Sequence, residues 1–313
     1  MDSGLLAIDT ETTGVGWHDE AFMISVATHE GSHVYDKRVC EHGEWDNRVQ
    51  HVYDMLTACD KIIMHNAKFD IQKLCRLGIP LSVFKGKFED TQAIAHLIDE
   101  QRSTGLKFLA REVLGEETDE DEALRKVRRE LKVKKEDGYY PIPHEILAPY
   151  AIKDAEFTLQ LYEALCPLLP DSIKDLYELE KQLTISLLGV EARGMAIDKE
   201  YVLTQRREYG DRIYKLKQRI GELAGEEFNP QSPKQLLEVF AQRGVRITAT
   251  DKATLASVDD ELAALIVELR EANKIKSTYL DALAEEAKDG ILHPSFRQHG
   301  TRTGRMSSGA AEA

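Results

Sequence analysis

The sequence predicts an α/β domain, a mixed sheet flanked by helices, followed by a mostly α-helical domain. Three observations carry this. Over the first 170 residues, short apolar runs of strand length alternate with longer helix-like segments. The first three strand candidates lie close together, as in an antiparallel meander, while the fourth follows a helix, so the sheet is mixed. From about Pro170 onward helical periodicity dominates, with no convincing strand until the end. A chain of 313 residues has room for about two domains. The change of character divides it into 1–170 and 171–313.

The elements follow in order. Strands are expected at Leu5–Asp9, Phe22–Thr28, His33–Lys37 and Lys61–His65. Helices are expected at Asp46–Cys59, Lys68–Leu77, Asp90–Asp99, Leu106–Leu114 and His144–Leu168. In the second domain they run over Ile173–Arg193, Lys199–Ala224, Pro233–Gln242 and Asp259–Glu286. Ser232 before Pro233 reads as an N-cap followed by proline at the first helical position. Gly14-Val15-Gly16 lacks the third glycine and following helix of a nucleotide loop and reads as a turn.

Composition narrows the class. Hydrophobic content of 42% with 31% charged residues describes a soluble globular protein. No stretch approaches the roughly 20 apolar residues of a membrane span, and Asp2 leaves no basic start for a secretory signal. Cys40, Cys59, Cys75 and Cys166 are scattered without a CxxC pair and fit free thiols in a reducing cytosol, so a cytoplasmic location is expected. The net charge of −14 argues against a broad nucleic-acid-coating surface. It leaves room for an enzyme that grips a few nucleotides and offsets its own carboxylates with metal. The charge is also unevenly spread. Glu116 to Glu122 is nearly all acidic, and Arg125, Lys126, Arg128, Arg129, Lys132, Lys134 and Lys135 follow. This segment reads as a solvated helix or mobile insert, or alternatively as a phosphate-contacting flap.

Three motifs carry chemistry. Asp9-Thr10-Glu11 ends the first apolar run, where α/β sheets tend to form sites. Two carboxylates so close repel unless a divalent cation neutralises them, which points to Mg²⁺ or Mn²⁺. His65-Asn66-Ala67-Lys68-Phe69-Asp70 leaves the fourth strand and enters a helix, with Asp70 in its first turn. There it serves either the helix dipole or the same site. Tyr150 and Asp154 stand four apart, on one face of a helix, beside a buried stripe of Leu147, Ala151, Ala155, Thr158 and Leu159.

Together, the order Asp-x-Glu, Asn-x3-Asp and Tyr-x3-Asp resembles the three motifs of the DEDD exonuclease superfamily, in its tyrosine-bearing branch. The stretches Glu89-Asp90-Thr91-Gln92-Ala93 and Gly105-Leu106-Lys107-Phe108-Leu109-Ala110 look like the same family, and the likeness covers residues 4–168. The histidine-bearing branch would place histidine where Pro149 stands. The resemblance implies a ribonuclease H-like sheet and a proofreading 3′→5′ exonuclease that uses two divalent ions, Mg²⁺ or Mn²⁺. It implies catalytic roles for Asp9, Glu11, Asp70, Tyr150 and Asp154. Asp9 would bridge both ions, Glu11 and Asp154 would complete the site of the nucleophilic water, Asp70 would serve the second ion, and Tyr150 would orient the water. Asn66 would contact the substrate end, with Thr10 and Lys68 as further candidates.

The helical part resembles the region after the exonuclease in family A DNA polymerases. The carrying residues are 191–198, Phe228-Asn229-Pro230-Gln231-Ser232-Pro233, Arg270, Lys274-Ile275-Lys276-Ser277-Thr278-Tyr279, 293–296 and 301–308. This implies a thumb and the start of a palm tracking a primer–template duplex, with Arg302, Thr303 and Arg305 at the nucleic-acid backbone. Arg297, Arg302 and Arg305 among glycine and serine suit phosphate contacts. The family's palm aspartates and fingers lysine do not occur, so primer extension by this chain alone is not expected. The expectation is a piece of a longer polymerase, or one half of a split polymerase whose palm and fingers form a separate polypeptide. Two other readings remain: an RNase D-like RNA-trimming nuclease, and a non-catalytic subunit that holds DNA.

Overall fold

The computed structural model describes residues 4–116, 119–133, 138–225, 228–287, 289–301 and 303–309. Its five-stranded sheet is built from β1 (Leu5–Thr12), β2 (Ala21–Thr28), β3 (Gly31–Asp36), β4 (Lys61–Met64) and β5 (Phe88–Asp90). The spatial order is β3-β2-β1-β4-β5, antiparallel from β3 to β1 and parallel from β1 to β5. The mixed sheet is thus as the sequence implies, with β1 at its centre.

Side chains on a strand alternate between faces, and β1 obeys this in its packing. Leu6 and Ile8 join Ile24, Val26, Ile62, Met64, Ile71 and Leu74, under helices α1 (Glu44–Ala58) and α2 (Ala67–Arg76). Ala7 joins Ala27, Ile63, Ile94, Leu109, Ala155 and Leu159 on the other face. That face is covered by α3 (Thr91–Ile98), α4 (Leu106–Leu109) and, beyond the charged segment of α5 (Asp119–Glu130), by α6 (His144–Leu165). The register of β1 on β2 shifts between Glu11 and Thr12. Such a bulge bends the end of a strand next to a site.

Several boundaries differ from the sequence reading for identifiable reasons. β5 is polar and three residues long, so no alternation marks it. Asp90, expected to begin a helix, ends this strand and caps α3 by accepting from Gln92 N. The helix at 106–114 changes to a π-helix over Ala110–Leu114 and stops at Gly115, φ 72°. α6 gives way at Cys166 to a 3-10 turn that carries Pro167. The expected helix at 259–286 is α11 (Glu261–Lys274), a π-helical stretch Ile275–Asp281 and α12 (Ala282–Glu286).

The compact units of the chain run differently from the 1–170 and 171–313 division of the sequence pattern. The chain forms two compact units, Met1–Arg193 with Pro294–Ala313, and Gly194–His293. Helix α7 (Lys174–Arg193) belongs with the sheet because buried polar atoms tie it there. Tyr177 donates from its hydroxyl to Glu89 Oε2 at 2.8 Å and accepts from Asp90 N at 2.9 Å. Lys61 and Lys181 reach Glu89 Oε1 at 3.0 and 3.4 Å. After β6 (Met195–Ala196) and β7 (Ile291–Leu292), the returning chain forms β8 (Ser295–Arg297) and β9 (Ser307–Gly309), and Phe296 N donates to Glu191 Oε1 at 2.7 Å.

The other unit is helical, with α8 (Lys199–Ala224), α9 (Pro233–Gln242), α10 (Lys252–Ala256) and α11 around Leu236, Phe240, Leu255, Leu262 and Ile266. Ser232 caps α9 through Gln235 N, as its position before Pro233 implies. The unit opens on β6 (Met195–Ala196) and closes on β7 (Ile291–Leu292), which pair antiparallel. Gly194, φ 61°, lies where a Cβ would come within 2.5 Å of Ile291 Cγ2, so only glycine fits.

Tyr177→Phe tests the tie between α7 and β5. It leaves a buried N–H and a buried carboxylate short of partners, which should cost about 1–3 kcal/mol. Urea denaturation of the full chain, read on the transition of the sheet-bearing unit, measures this. A loss below about 0.5 kcal/mol would mean the phenol does not hold α7.

Candidate active site

The two-residue period of β1 places Asp9 and Glu11 on the same face as Ala7, opposite α6. On α6, Leu147, Ala151, Ala155, Thr158 and Leu159 are all buried, the stripe expected from the sequence. They turn Tyr150 and Asp154, one turn apart, toward the end of β1. The result is a cluster in which oxygens of Asp9, Glu11 and Asp154 all lie within 4.8 Å of one another. Burial, and then the neighbouring carboxylates, push the pKa values of Asp9 and Glu11 well above the ordinary range.

Asp70 comes from the other face. It sits in the first turn of α2, where its Oδ1 accepts from Thr10 N at 3.0 Å and Thr10 Oγ1 at 2.7 Å. Thr10, the even-numbered residue between the two acids, thus reaches across to α2 and fixes the fourth carboxylate. Burial pushes Asp70 up to about 7, against these two hydrogen bonds, and it also raises Asp9 electrostatically. The structure therefore brings Asp9, Glu11, Asp70, Tyr150 and Asp154 to one end of β1.

The candidates for substrate contact fare differently. Thr10 is buried and holds Asp70 through its N–H and hydroxyl. Lys68 forms an ion pair with Glu191 on α7. Asn66 takes a left-handed conformation, φ 64° and ψ 52°, at the start of α2, and its N–H donates to Asp90 Oδ1 at 3.1 Å. Neighbouring His65 shares a hydrogen bond of 2.8 Å with Thr91, and burial pushes its pKa down to about 4. Thr303 and Arg305 are exposed in the turn between β8 and β9, and Arg302 lies outside the described residues.

Two participants were not anticipated. Lys107 pairs with Asp154, and its ammonium stands 4.2 Å from the ring centroid of Tyr150 and 5.2 Å from that of Phe157. It lowers the pKa values of Asp9 and Glu11, partly offsetting the clustered negative charge. Tyr139 packs edge-on to Tyr150 with centroids 5.9 Å apart, and the two side chains are hydrogen-bonded. Tyr139 N donates to Thr12 O at 3.2 Å, which seats its loop on the end of β1. Gly138, φ 58°, permits that approach, since a Cβ there would strike Thr12 and Thr13. Neither contact has a sequence signal, because Lys107 and Tyr139 lie on different elements from their partners on α6 and fall at no helical or strand spacing from them.

The donor set fits a divalent cation. It consists of carboxylate oxygens alone, the hard ligands that Mg²⁺ and Mn²⁺ prefer. Burial first and then mutual repulsion raise the pKa values of Asp9 and Glu11, and a bound cation would favour their charged forms against both.

Comparison with known proteins agrees with this geometry. Residues 2–170 match a family model described as 3′-5′ exonuclease, and residues 199–311 match one described as DNA polymerase family A. DNA polymerase I of Pseudomonas aeruginosa is 30% identical, over 98% of this chain and 36% of its own length. DNA polymerase DpoZ of Vibrio phage phiVC8 is 30% identical over 96% of this chain and 53% of its own. The DNA polymerase of Escherichia phage T5 is 29% identical over 98% and 40%. The chain thus spans about a third to a half of the length of these relatives. A solved structure, the POL domain of Pol1 from M. smegmatis in complex with DNA primer-template and dNTP, superposes with a TM-score of 0.68. It is 23% identical and covers 97% of this chain and 50% of that one, a likeness of fold.

The raised pKa of Asp70 has a definite sign in stability. Without metal, the folded protein holds this proton up to about pH 7, whereas an unfolded carboxyl releases it near its ordinary 3.8. The contribution is therefore full below about pH 4 and is lost as pH rises to 7. In EDTA, Asp70→Asn should gain on the wild type across that window by on the order of a few kcal/mol. Denaturant titrations at half-unit pH steps measure the difference. A gap that does not change with pH would contradict it.

Proposed function

This chain belongs to the family A DNA polymerases and carries their 3′→5′ exonuclease domain, and from that premise we propose that it removes nucleotides from single-stranded DNA 3′ ends as a proofreading activity. The observation that carries the reading is the meeting of Asp9, Glu11 and Asp154 within 4.8 Å, with Tyr150 one helical turn from Asp154. Asp9, Glu11, Asp154 and, from α2, Asp70 would hold two divalent ions, Mg²⁺ or Mn²⁺. Bound there, such ions supply an activated water and neutralise charge on the phosphate.

The chain's own residues do the rest. Asp9 and Glu11, fixed on one strand, and Asp154, fixed on a packed helix, need little reorganisation to act together. Thr10 holds Asp70 in place from the opposite face. The Tyr150 hydroxyl, partnered by Tyr139, can both donate and accept a hydrogen bond and so orients a water without binding metal. Lys107 sits where it can exchange Asp154 for a substrate phosphate oxygen. Asn66, at the β4–α2 turn beside Asp70, is assigned to the substrate's terminal nucleotide.

Residues 171–313 are read as thumb and the start of a palm, gripping a primer–template duplex with Arg302, Thr303 and Arg305 at its backbone. The remaining polymerase parts would belong to the same polypeptide or to a separate one. Free thiols at Cys40, Cys59, Cys75 and Cys166 accord with action in the cytosol.

Digestion of a 5′-labelled single-stranded DNA, with Mg²⁺, Mn²⁺ or EDTA, tests the reading. A metal-dependent ladder from the 3′ end is expected, and faster trimming of the matching RNA would favour an RNA-processing enzyme. Asp9→Ala should lower the rate by about 10³-fold or more, since it removes a ligand shared by the site. Tyr150→Phe should cost about 10- to 100-fold, the worth of one hydrogen bond to a charged group. Equal losses in the two variants would remove the water-orienting role from Tyr150.

A further inference from the structure

The function above leaves α5 unused, yet this helix is anchored beside the carboxylates. Leu124 is buried and Val127 half-buried among Phe22, Met23, Ile142, Leu147 and Tyr150, so one face of α5 is fixed against β2 and α6. That fixes the direction of the other face. Arg125, Arg128 and Arg129 stand at i, i+3 and i+4, the spacing of a single helical stripe about 6 Å long, and Lys132 follows in the turn after Glu130. Arg125, Arg129 and Lys132 are exposed, and with Arg128 and Lys126 they line a groove of about 1090 Å³. In a chain of net charge −14, a cationic stripe on an anchored helix is a local reversal of sign.

The stripe leads to the site. The guanidinium of Arg128 lies 5.2 Å from the ring centroid of Tyr139, and Tyr139 is hydrogen-bonded to Tyr150. Tyr139 lies within the electrostatic reach of Glu11 and Asp154 as well as of Arg128, so this ring links the stripe to the carboxylates. A substrate strand whose terminal phosphodiester lies at Asp9, Glu11 and Asp154 carries further phosphates away from that point. Each of them needs a cation in a molecule whose overall field repels it.

We propose that the Arg125–Arg128–Arg129 face of α5, with Lys132 in the turn that follows it, is a docking track for the phosphate backbone of single-stranded DNA, holding nucleotides upstream of the one being removed. The track rests on the exonuclease reading for its purpose, but its binding can be measured without catalysis. The contacts are to phosphates, so the track does not select bases.

The experiment uses the full chain and a fluorescein-labelled 20-nucleotide single strand in EDTA, with anisotropy titrations from 50 to 200 mM salt. In Arg125→Gln/Arg129→Gln/Lys132→Gln the dissociation constant should rise at least about tenfold. The slope of log affinity against log salt should shrink by about 2, close to 0.7 for each of three lost phosphate contacts. The charge-keeping variant Arg125→Lys/Arg129→Lys/Lys132→Arg should bind within about twofold of the wild type. With metal, the preference for the 20-mer over a trinucleotide in kcat/KM should fall toward one in the glutamine variant.

An unchanged dissociation constant and salt slope in that variant would overturn the track, as would equal losses in the charge-keeping variant. A blunt duplex that binds as well, and loses as much, would overturn the single-strand assignment. If the glutamine variant loses binding but the wild type cuts nothing with metal, the track stands and the exonuclease reading fails. If the wild type cuts and the variant binds and cuts alike, the track alone fails.

Discussion

Because side chains on β1 alternate between the faces of the sheet, residues 7, 9 and 11 look toward α6 while 6, 8 and 10 look toward α2. Every part of the site depends on this alternation. It sends two carboxylates to meet Asp154 and Tyr150, and it sends the threonine between them to hold Asp70. A slip of one residue in the pairing of β1 would exchange the two sets and bury Asp9 and Glu11 against the apolar residues under α1 and α2. The strand is protected from that slip by neighbours on both sides, antiparallel β2 and parallel β4. The irregularity between Glu11 and Thr12 comes only after the second acid has been placed.

Electrostatics then works against the fold at the same point. Four carboxyl groups converge in surroundings that disfavour their charged forms, and Lys107 meets part of that cost through Asp154. Elsewhere in this unit, buried charge is handled differently. Lys73 is fully buried, but its ammonium donates to the carbonyls of Gly16 and Asp19 at 2.6 and 3.0 Å. Glu89 is met by two lysines and a tyrosine. These groups have their partners within the protein, whereas Lys107 offsets only part of the charge of the Asp9 cluster. That imbalance separates a site built for a ligand from polar groups that serve the fold alone.

Much of this was legible in the sequence because it is local. The Asp-x-Glu at the end of an apolar run, the acid in the first turn of a helix and the Tyr-x3-Asp pair each sit within one element, so spacing alone gives their geometry. The buried stripe of α6 was equally readable from residues 147 to 159. Lys107, Tyr139 and the Thr10–Asp70 bonds were not, because each joins elements far apart in the chain and the residue types have many ordinary uses. β5 was hidden for another reason. Of its three residues, Phe88 joins the apolar core, while Glu89 and Asp90 are buried against partners from α7 and the β4–α2 turn, so the strand lacks an apolar pattern. The same partners bring α7, which follows the change of pattern near 170, into the compact unit of the sheet. The change from mixed to helical periodicity marks where strands end, whereas the compact unit ends where the buried bonds of α7 end.

The pairing of Met195 with Leu292 and Ala196 with Ile291 closes a unit of one hundred residues, Gly194–His293, at its two ends. Because those ends are held side by side by backbone hydrogen bonds, a change of length within the helices between them need not move either end.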